Sequence, residues 1–272
     1  MTAISLAALF RVGIRASLSF ALIGASYASA VAEDSAISAR RTAERKSFTD
    51  QQIITGFFKV AFHNDELPIT GAVDRIRKYV SPIRVYIDNR AKSERAEKVA
   101  AVVADIASRI QNLDIAVTAK RSEANLTVAL VHDRDFPRAV RALNARKRVN
   151  VQRSLQPKCL SEFSRDNGFR IVRSDVILVA DAEEFTLQDC TYEEVLKALG
   201  PINDDSTVPW TMFNDEVQMG FFTIYDQYLL NILYDRRIRP GMTRAEVRTV
   251  LPEILPSVRA WVAKTNKLPL AR

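Results

Sequence analysis

The chain of 272 residues is 47% hydrophobic and 26% charged, with a net charge of +7 from 39 basic and 32 acidic residues. That balance belongs to a folded globular protein and excludes a disordered one. Eight glycines and no Gly-rich phosphate loop or G-x-S-x-G elbow argue against nucleotide-cradling and elbow-type serine hydrolase sites.

Arg11 and Arg15 precede a short, apolar, small-residue run over 16–25, and Ala28-Ser29-Ala30 supplies a small-x-small cleavage site. Residues 1–30 are therefore expected to be a secretory signal peptide, its apolar run too short to span a bilayer. Its removal takes two arginines from +7 and leaves +5. No cysteine follows the cleavage site, so no lipid anchor is expected there, and no other stretch approaches a membrane span. The mature chain is expected to be exported, to the periplasm or outside the cell. Residues 31–46, polar and aperiodic, are expected to form a flexible leader.

Structure is expected over 47–272 as one domain. Ser47 and Asp50 form a variant helix-capping signal. Ile53, Ile54, Phe57, Ala61 and Phe62 follow at helical spacing, with a stop near His63. Ile83, Val85 and Ile87 alternate with polar neighbours as a half-buried strand. Residues 93–111 read as a long helix with an apolar stripe of Ala96, Val99, Val103, Ile106 and Ile110, supported by a Glu94–Lys98 pair. Short strands are expected at 115–119 and 124–131, a helix at 138–145, and two strands, 169–172 and 176–180, flanking Arg173-Ser174-Asp175. A helix over 191–199 ends at Gly200-Pro201 and is followed by polar turns. Tyr225 to Tyr234 form the next helix. Thr243 and Glu246 form a capping box opening a final helix toward Leu251, interrupted by Pro252 and Pro256. A strand, a long helix, more strands and then helices predict an α+β fold: a mixed sheet with helices packed on it.

The two cysteines, Cys159 and Cys190, are an even count in an exported chain and are expected to pair. That bridge would stabilise the fold by roughly 3–4 kcal/mol on the chain-entropy model. A basic stretch, Arg134 to Arg153, carries almost no aromatics and reads as a solvated or envelope-facing surface; no nucleic-acid partner is expected. His132 with Asp133 and Asp135, and the Asn203-Asp204-Asp205-Ser206 run, offer metal-ligand types, but both fit satisfied turns better.

One stretch carries a resemblance. Glu193, Glu194, Lys197, Gly200 and Asn203 fall at the spacing of His-Glu-x-x-His-x-x-Gly-x-x-His, the zinc motif of metzincin peptidases. Glu193 stands where the first histidine belongs, Glu194 on the catalytic glutamate, Lys197 on the second histidine and Asn203 on the third. Thr211-Met212-Phe213 resembles the methionine-containing turn, with Phe213 at the methionine position, and 222–234 resembles the closing helix. The block from Cys190 to Met242 is also similar to an uncharacterised family of exported bacterial proteins, domain of unknown function 2927. That family usually has Gln where this chain has Lys197.

The resemblance implies a zincin-like fold: a twisted mixed sheet, a long helix packed on it, the degenerate active-site helix below and a helical C-terminal part. It implies no zinc, because the chain's only histidines are His63 and His132. A Glu193–Lys197 ion pair is expected in place of two ligands, worth ~0.3–0.5 kcal/mol if exposed. No cofactor is expected. A binding or structural role is expected, with a peptide or envelope component as partner. The alternatives are a hydrolase with an unorthodox site, using Glu194 with Glu193, Asp204 or His132 and a metal other than zinc, and a basic envelope-surface binder.

Overall fold

The computed structural model describes residues 34–62, 74–147 and 158–269. The expected signal peptide, His63 and the C-terminal half of the Arg134 to Arg153 stretch lie outside or partly outside them. In chain order the elements are α1 (Ser35–Ala43), α2 (Asp50–Ala61), β1 (Ile83–Asn89), α3 (Ala96–Arg109), β2 (Ile115–Val117), β3 (Leu126–Val131), α4 (Phe136–Lys147), β4 (Cys159–Arg165), β5 (Ile171–Val179), α5 (Glu184–Lys197), α6 (Ile224–Tyr234) and α7 (Arg244–Thr265).

The strands make one mixed sheet in the order β2-β1-β3-β5-β4. β1 runs parallel to β2 and β3, β3 runs parallel to β5, and β4 alone is antiparallel, on β5. All six residues of β3 are buried. Leu126, Val128 and Leu130 enter the main core, whereas Val131 joins Leu143 of α4, Leu160 and Ile177 in a second cluster on the opposite face. With both faces covered, the strand has no reason to alternate in hydrophobicity. In α3, Val99, Val103, Ile106 and Ile110 are buried as their spacing predicts. Lys98, however, does not pair with Glu94; its ammonium lies 2.6 Å from Glu184 and ties α3 to α5.

Several expectations need correction. The stretch 31–46 is not uniformly irregular: Ser35–Ala43 is helical, capped by Asp34, whose carboxylate accepts from Ala36 N at 2.8 Å. Ile37 is fully buried, which stabilises the docked helix by about 1.5–3 kcal/mol. Arg40 and Arg41 stack over Phe185 and Phe221 at 4.4 and 4.3 Å. The cap of α2 is Thr49 in a capping box with Gln52, not Ser47. The pair of strands at 169–180 is one strand, β5, and its partner β4 has no counterpart in the sequence reading. α5 begins at Glu184, seven residues before the expected start. α7 has the expected Thr243–Glu246 box but runs straight through Pro252 and Pro256. Each proline removes one backbone donor, and burial of Leu251, Ile254, Leu255 and Val258 along the same face holds the helix together.

No helix among the described residues is long and apolar enough to cross a membrane.

Candidate functional site

α5 packs against β4, β5 and α3. Covered on several sides, it buries Leu187, Val195 and Leu196 together with polar side chains that a one-sided helix would leave in water. The Cys159–Cys190 disulfide, with Cα atoms 5.8 Å apart, joins it to β4. One turn further on, Glu193 and Glu194 are each only 2% exposed. Glu194 is thus deep in the third turn, not a solvated carboxylate at a helix start, and it accepts a hydrogen bond from the Ser161 hydroxyl of β4.

Glu193 does pair with Lys197, but not at the surface. The Lys197 ammonium lies 2.6 Å from Glu193 Oε1, 2.9 and 3.0 Å from the two oxygens of Asp204, and 3.8 Å from Asp215 Oδ1. Carboxylates from α5 and from two points of the following turn thus surround one nitrogen. Asp215 Oδ1 is buried and accepts no hydrogen bond, so the ammonium is its electrostatic partner.

Gly200 makes this convergence possible. Its φ of +135° is one that L side chains rarely adopt, and a Cβ there would strike the Arg77 carbonyl. The chain therefore turns away from α5 at once and returns with Asp204. Asn203, at the position of a third ligand, does not join the cage. Its side-chain nitrogen donates to Lys59 O at 2.9 Å and ties the turn to α2.

The turn is held from the far side by Asp226 on α6. Its carboxylate accepts from Thr211 Oγ1 at 2.5 Å, Thr223 Oγ1 at 2.7 Å and Met212 N at 3.0 Å. Phe213 is fully buried behind it. Burial lifts Asp226 to about 6 against these three donors. Asp189, one turn before Glu193, is also pushed up by burial while accepting from Met219 N and Gly220 N at 2.8 and 2.7 Å.

In the cage, burial raises Glu193 to about 8, opposed by Lys197 and reinforced by Glu194. Glu194 is raised for the same first reason. Burial alone would depress the Lys197 ammonium, but Glu194, Glu193 and Asp204 outweigh it and hold the lysine above its ordinary range. The stable arrangement is a charged lysine beside Glu193 and Glu194, which burial keeps protonated to higher pH than usual.

Among the described residues, two groups have oxygens or sulfur within 4.8 Å of one another, close enough to share a cation: Cys159, Glu193 and Glu194; and Glu193, Asp204 and Asp215. The first loses its sulfur to the disulfide. The second is an all-oxygen set of the kind hard cations prefer, but Lys197 Nζ stands among its oxygens. A zinc site of the metzincin kind needs three histidines. The residues at those positions are Glu193, Lys197 and Asn203, so they do not fit that metal.

His132 is not part of the cage. It faces Asp181 at 3.7 Å, beyond the ends of β3 and β5, in a turn where Asp133 N and Lys158 complete the polar contacts. Asp205 of the calcium-loop-like run accepts from Thr207 N at 2.9 Å and pairs with Lys59. Sequence reasoning did not single out Asp215, Ser161, Asp189 or Asp226. The only signal for Asp215 was an acid following Phe213-Asn214, too common to identify it.

A family model matches residues 50–253, most of the chain and all of the sheet, the cage and α6. The chain belongs to the family described as protein of unknown function DUF2927. No curated protein and no solved structure matches the chain. The family thus includes every residue that contacts Lys197, while α1 and the last turns of α7 lie beyond the matched span.

Proposed function

We propose that this member of DUF2927 is an exported, non-catalytic binding or structural protein, built on a zincin-like framework that has given up its zinc site. The observation that carries this reading is the charged Lys197 at the place of the second histidine, enclosed by Glu193, Asp204 and Asp215. An ammonium there repels the metal that the motif would otherwise serve. Helix α5 lying along the mixed sheet, the Gly200 turn and the buried 211–213 segment support kinship with that framework.

The binding surface that fits this reading is β4. It is the sheet's antiparallel edge strand, and its Ser161 touches Glu194. An extended peptide from an envelope partner would add to such an edge through main-chain hydrogen bonds. The N-terminal signal reading places this activity in the periplasm or outside the cell.

A second reading is favoured by one observation. Glu193, raised to about 8, is a carboxylic acid that keeps its proton near neutrality, as a general acid in a hydrolase must. Elemental analysis of the purified mature chain, with a peptide- and glycan-hydrolysis screen, separates the two. The first reading expects no stoichiometric metal and no turnover. Tightly bound metal lost in Glu193→Ala or Glu194→Ala, or turnover abolished by Glu193→Gln, would replace it with the second.

A further inference from the structure

We propose that the carboxyl ends of β1 and β3 form a binding site for a small organic oxyanion, a carboxylate or a phosphate monoester carried on an apolar body. A cavity of about 380 Å³ opens there. It is bounded by Arg90 just after β1, by Val131 and His132 at the end of β3, and by Arg138 on the first turn of α4. The site is separate from α5 and from the β4 edge, and it does not rest on the lost zinc site.

Topology creates the opening. β1 lies between β2 and β3, and all three run parallel. The chain leaving β1 crosses to the face where Val99, Val103 and Ile106 of α3 join the main core. The chain leaving β3 crosses to the other face, where Ala139 and Leu143 of α4 pack with Val131 and Ile177. Two neighbouring strands thus send their connections to opposite sides of the sheet. The connections part and leave a crevice at the strand ends, which is where open parallel sheets take up ligands. Its volume lies at the small end of the range for ligand cavities, so a single ring or a short chain fills it.

The lining sets the chemistry. Val131, Ala139 and Ala142 give an apolar wall. Around it, basic groups outnumber the acids that neutralise them. Asp88 Oδ2 serves two guanidiniums at once, accepting from Arg90 Nε and Nη2 at 2.9 and 2.8 Å and from Arg121 Nη1 at 3.3 Å. Arg121 borders the same depression, through a small extension that shares Arg90, Ala139 and Ala142 with the cavity. The Asp135 carboxylate in the lining has Arg134 at 3.7 Å. Arg138 is exposed and, among the described residues, has no acid within ion-pair distance. A single arginine on a convex surface would mean only a solvated charge. Here an under-neutralised Arg90 and an unpaired Arg138 border one concavity, and a guanidinium fork matches a carboxylate or phosphate through two parallel hydrogen bonds. The anionic end of the ligand therefore lies by these arginines and its apolar body against Val131, Ala139 and Ala142. A neutral compound of the same shape forgoes the charged contacts, and a bare inorganic anion forgoes the apolar ones.

The test uses the full chain in low-salt buffer, where exposed charges are least screened. The probes are phenyl phosphate, benzoate, benzyl alcohol and inorganic phosphate, with binding read by calorimetry and located by amide shifts in the NMR spectrum. Phenyl phosphate or benzoate should bind once per chain, at least tenfold more tightly than benzyl alcohol or inorganic phosphate, and should shift the amides of 89–91, 131–132 and 138–142. The preference between the two aromatic anions tells which oxyanion the site takes. Arg138→Gln and Arg90→Gln should each weaken binding at least tenfold, the loss expected for a hydrogen bond to a charged group. Ala142→Trp, at an exposed position, fills the cavity while keeping both arginines and should abolish binding. The proposal is overturned if neither aromatic anion binds at millimolar concentration, if inorganic phosphate binds as tightly as they do, or if any of the three variants binds them unchanged. Each of these failures leaves the lost zinc site standing, because none of these residues lies in α5 or the turn after it.

Discussion

Lys78 and Lys197 both point their ammonium groups inward, the first buried and the second half-buried, and their surroundings are opposite. Lys78, 6% exposed, points at the C-terminal end of α6. There it donates to the carbonyls of Leu233, Ile238 and Asp235 at 2.6, 3.0 and 3.2 Å, with the Tyr234 ring 5.0 Å away. Leu233 and Asp235 offer carbonyls that the end of α6 leaves unsatisfied, and Ile238 offers one from the turn beyond. Lys197 faces ionisable oxygens instead. Burial lowers Lys78 to about 8, opposed by Asp235, whereas the acids around Lys197 drive it upward. Three carbonyl acceptors still require a full ammonium at neutral pH, since a neutral amine has only two hydrogens to give. Dipoles can thus satisfy a buried lysine's hydrogen bonds without holding its charge as firmly as carboxylates do.

Substitution should expose that difference. Lys197→Met leaves Glu193, Asp204 and Asp215 without their shared ammonium; above pH 8, where Glu193 is ionised, it is expected to destabilise by roughly 3–5 kcal/mol, the cost of breaking a buried pair from one side. The measurement is chemical denaturation in a chelator. Next in size, reducing the Cys159–Cys190 bridge, which ties α5 to β4, should cost roughly 3–4 kcal/mol. It should also loosen the Ser161–Glu194 contact, visible as faster amide exchange in β4 and α5 and not in α6. Lys78→Met leaves orphaned carbonyls but no orphaned charge, and about 1–3 kcal/mol is expected. If Lys78→Met costs as much as Lys197→Met, the distinction between dipole and carboxylate cages fails.

How far these cages could be read from the sequence follows the same division between local and tertiary causes. The Glu193–Lys197 spacing, the stripe of α3 and the Thr243 box are local patterns, the cysteine pairing follows from an even count, and each forms. The burial of the Glu193–Lys197 pair is not local. It needs β4, and β4 was illegible because Ser161, Glu162 and Ser164 interrupt its apolar residues. β5 was divided for a similar reason. Ser174 reads as a break, but its hydroxyl donates to Ala198 O at 2.9 Å and accepts from Tyr79 at 2.8 Å, partners distant in sequence. Pro252 and Pro256 misled in the opposite direction, since the local penalty was real and tertiary burial overrode it. Lys78, five residues before the first recognised strand, carries no signal at all.

The pH dependence of stability should separate the cages further, by smaller amounts. The folded state holds Lys78 at about 8 against an ordinary 10.5. Between those values the unfolded chain binds a proton that the folded chain has released, so this residue adds stability as pH rises. Lys197 is raised, so its contribution is complete below 10.5 and is lost only above it. Glu193, raised from 4.5 to about 8, contributes fully below 4.5 and loses that contribution as pH rises through about 8. Denaturation midpoints measured from pH 5 to 10 should therefore lose their rising component above pH 8 in Lys78→Met. In Glu193→Gln they should lose their falling component below it. An unchanged profile in Lys78→Met would show that the carbonyls hold that charge as well as carboxylates would.

The smallest expected effect concerns Asn203, which shares a motif with Lys197 but not its cage. Asn203→Ala removes the side-chain bond to Lys59 O, while the backbone bonds from Ile202 N and Asn203 N to Val60 O, at 3.0 and 3.2 Å, remain. A loss of about 0.5–1.5 kcal/mol is expected, with the pH profile between 5 and 10 unchanged, because no charged group is released. If the substitution instead flattened the Glu193 component, Asn203 would be positioning the Asp204 turn over Lys197. The third position of the old motif would then support the cage indirectly, through α2, and the lysine would depend on the whole turn and not on its acids alone.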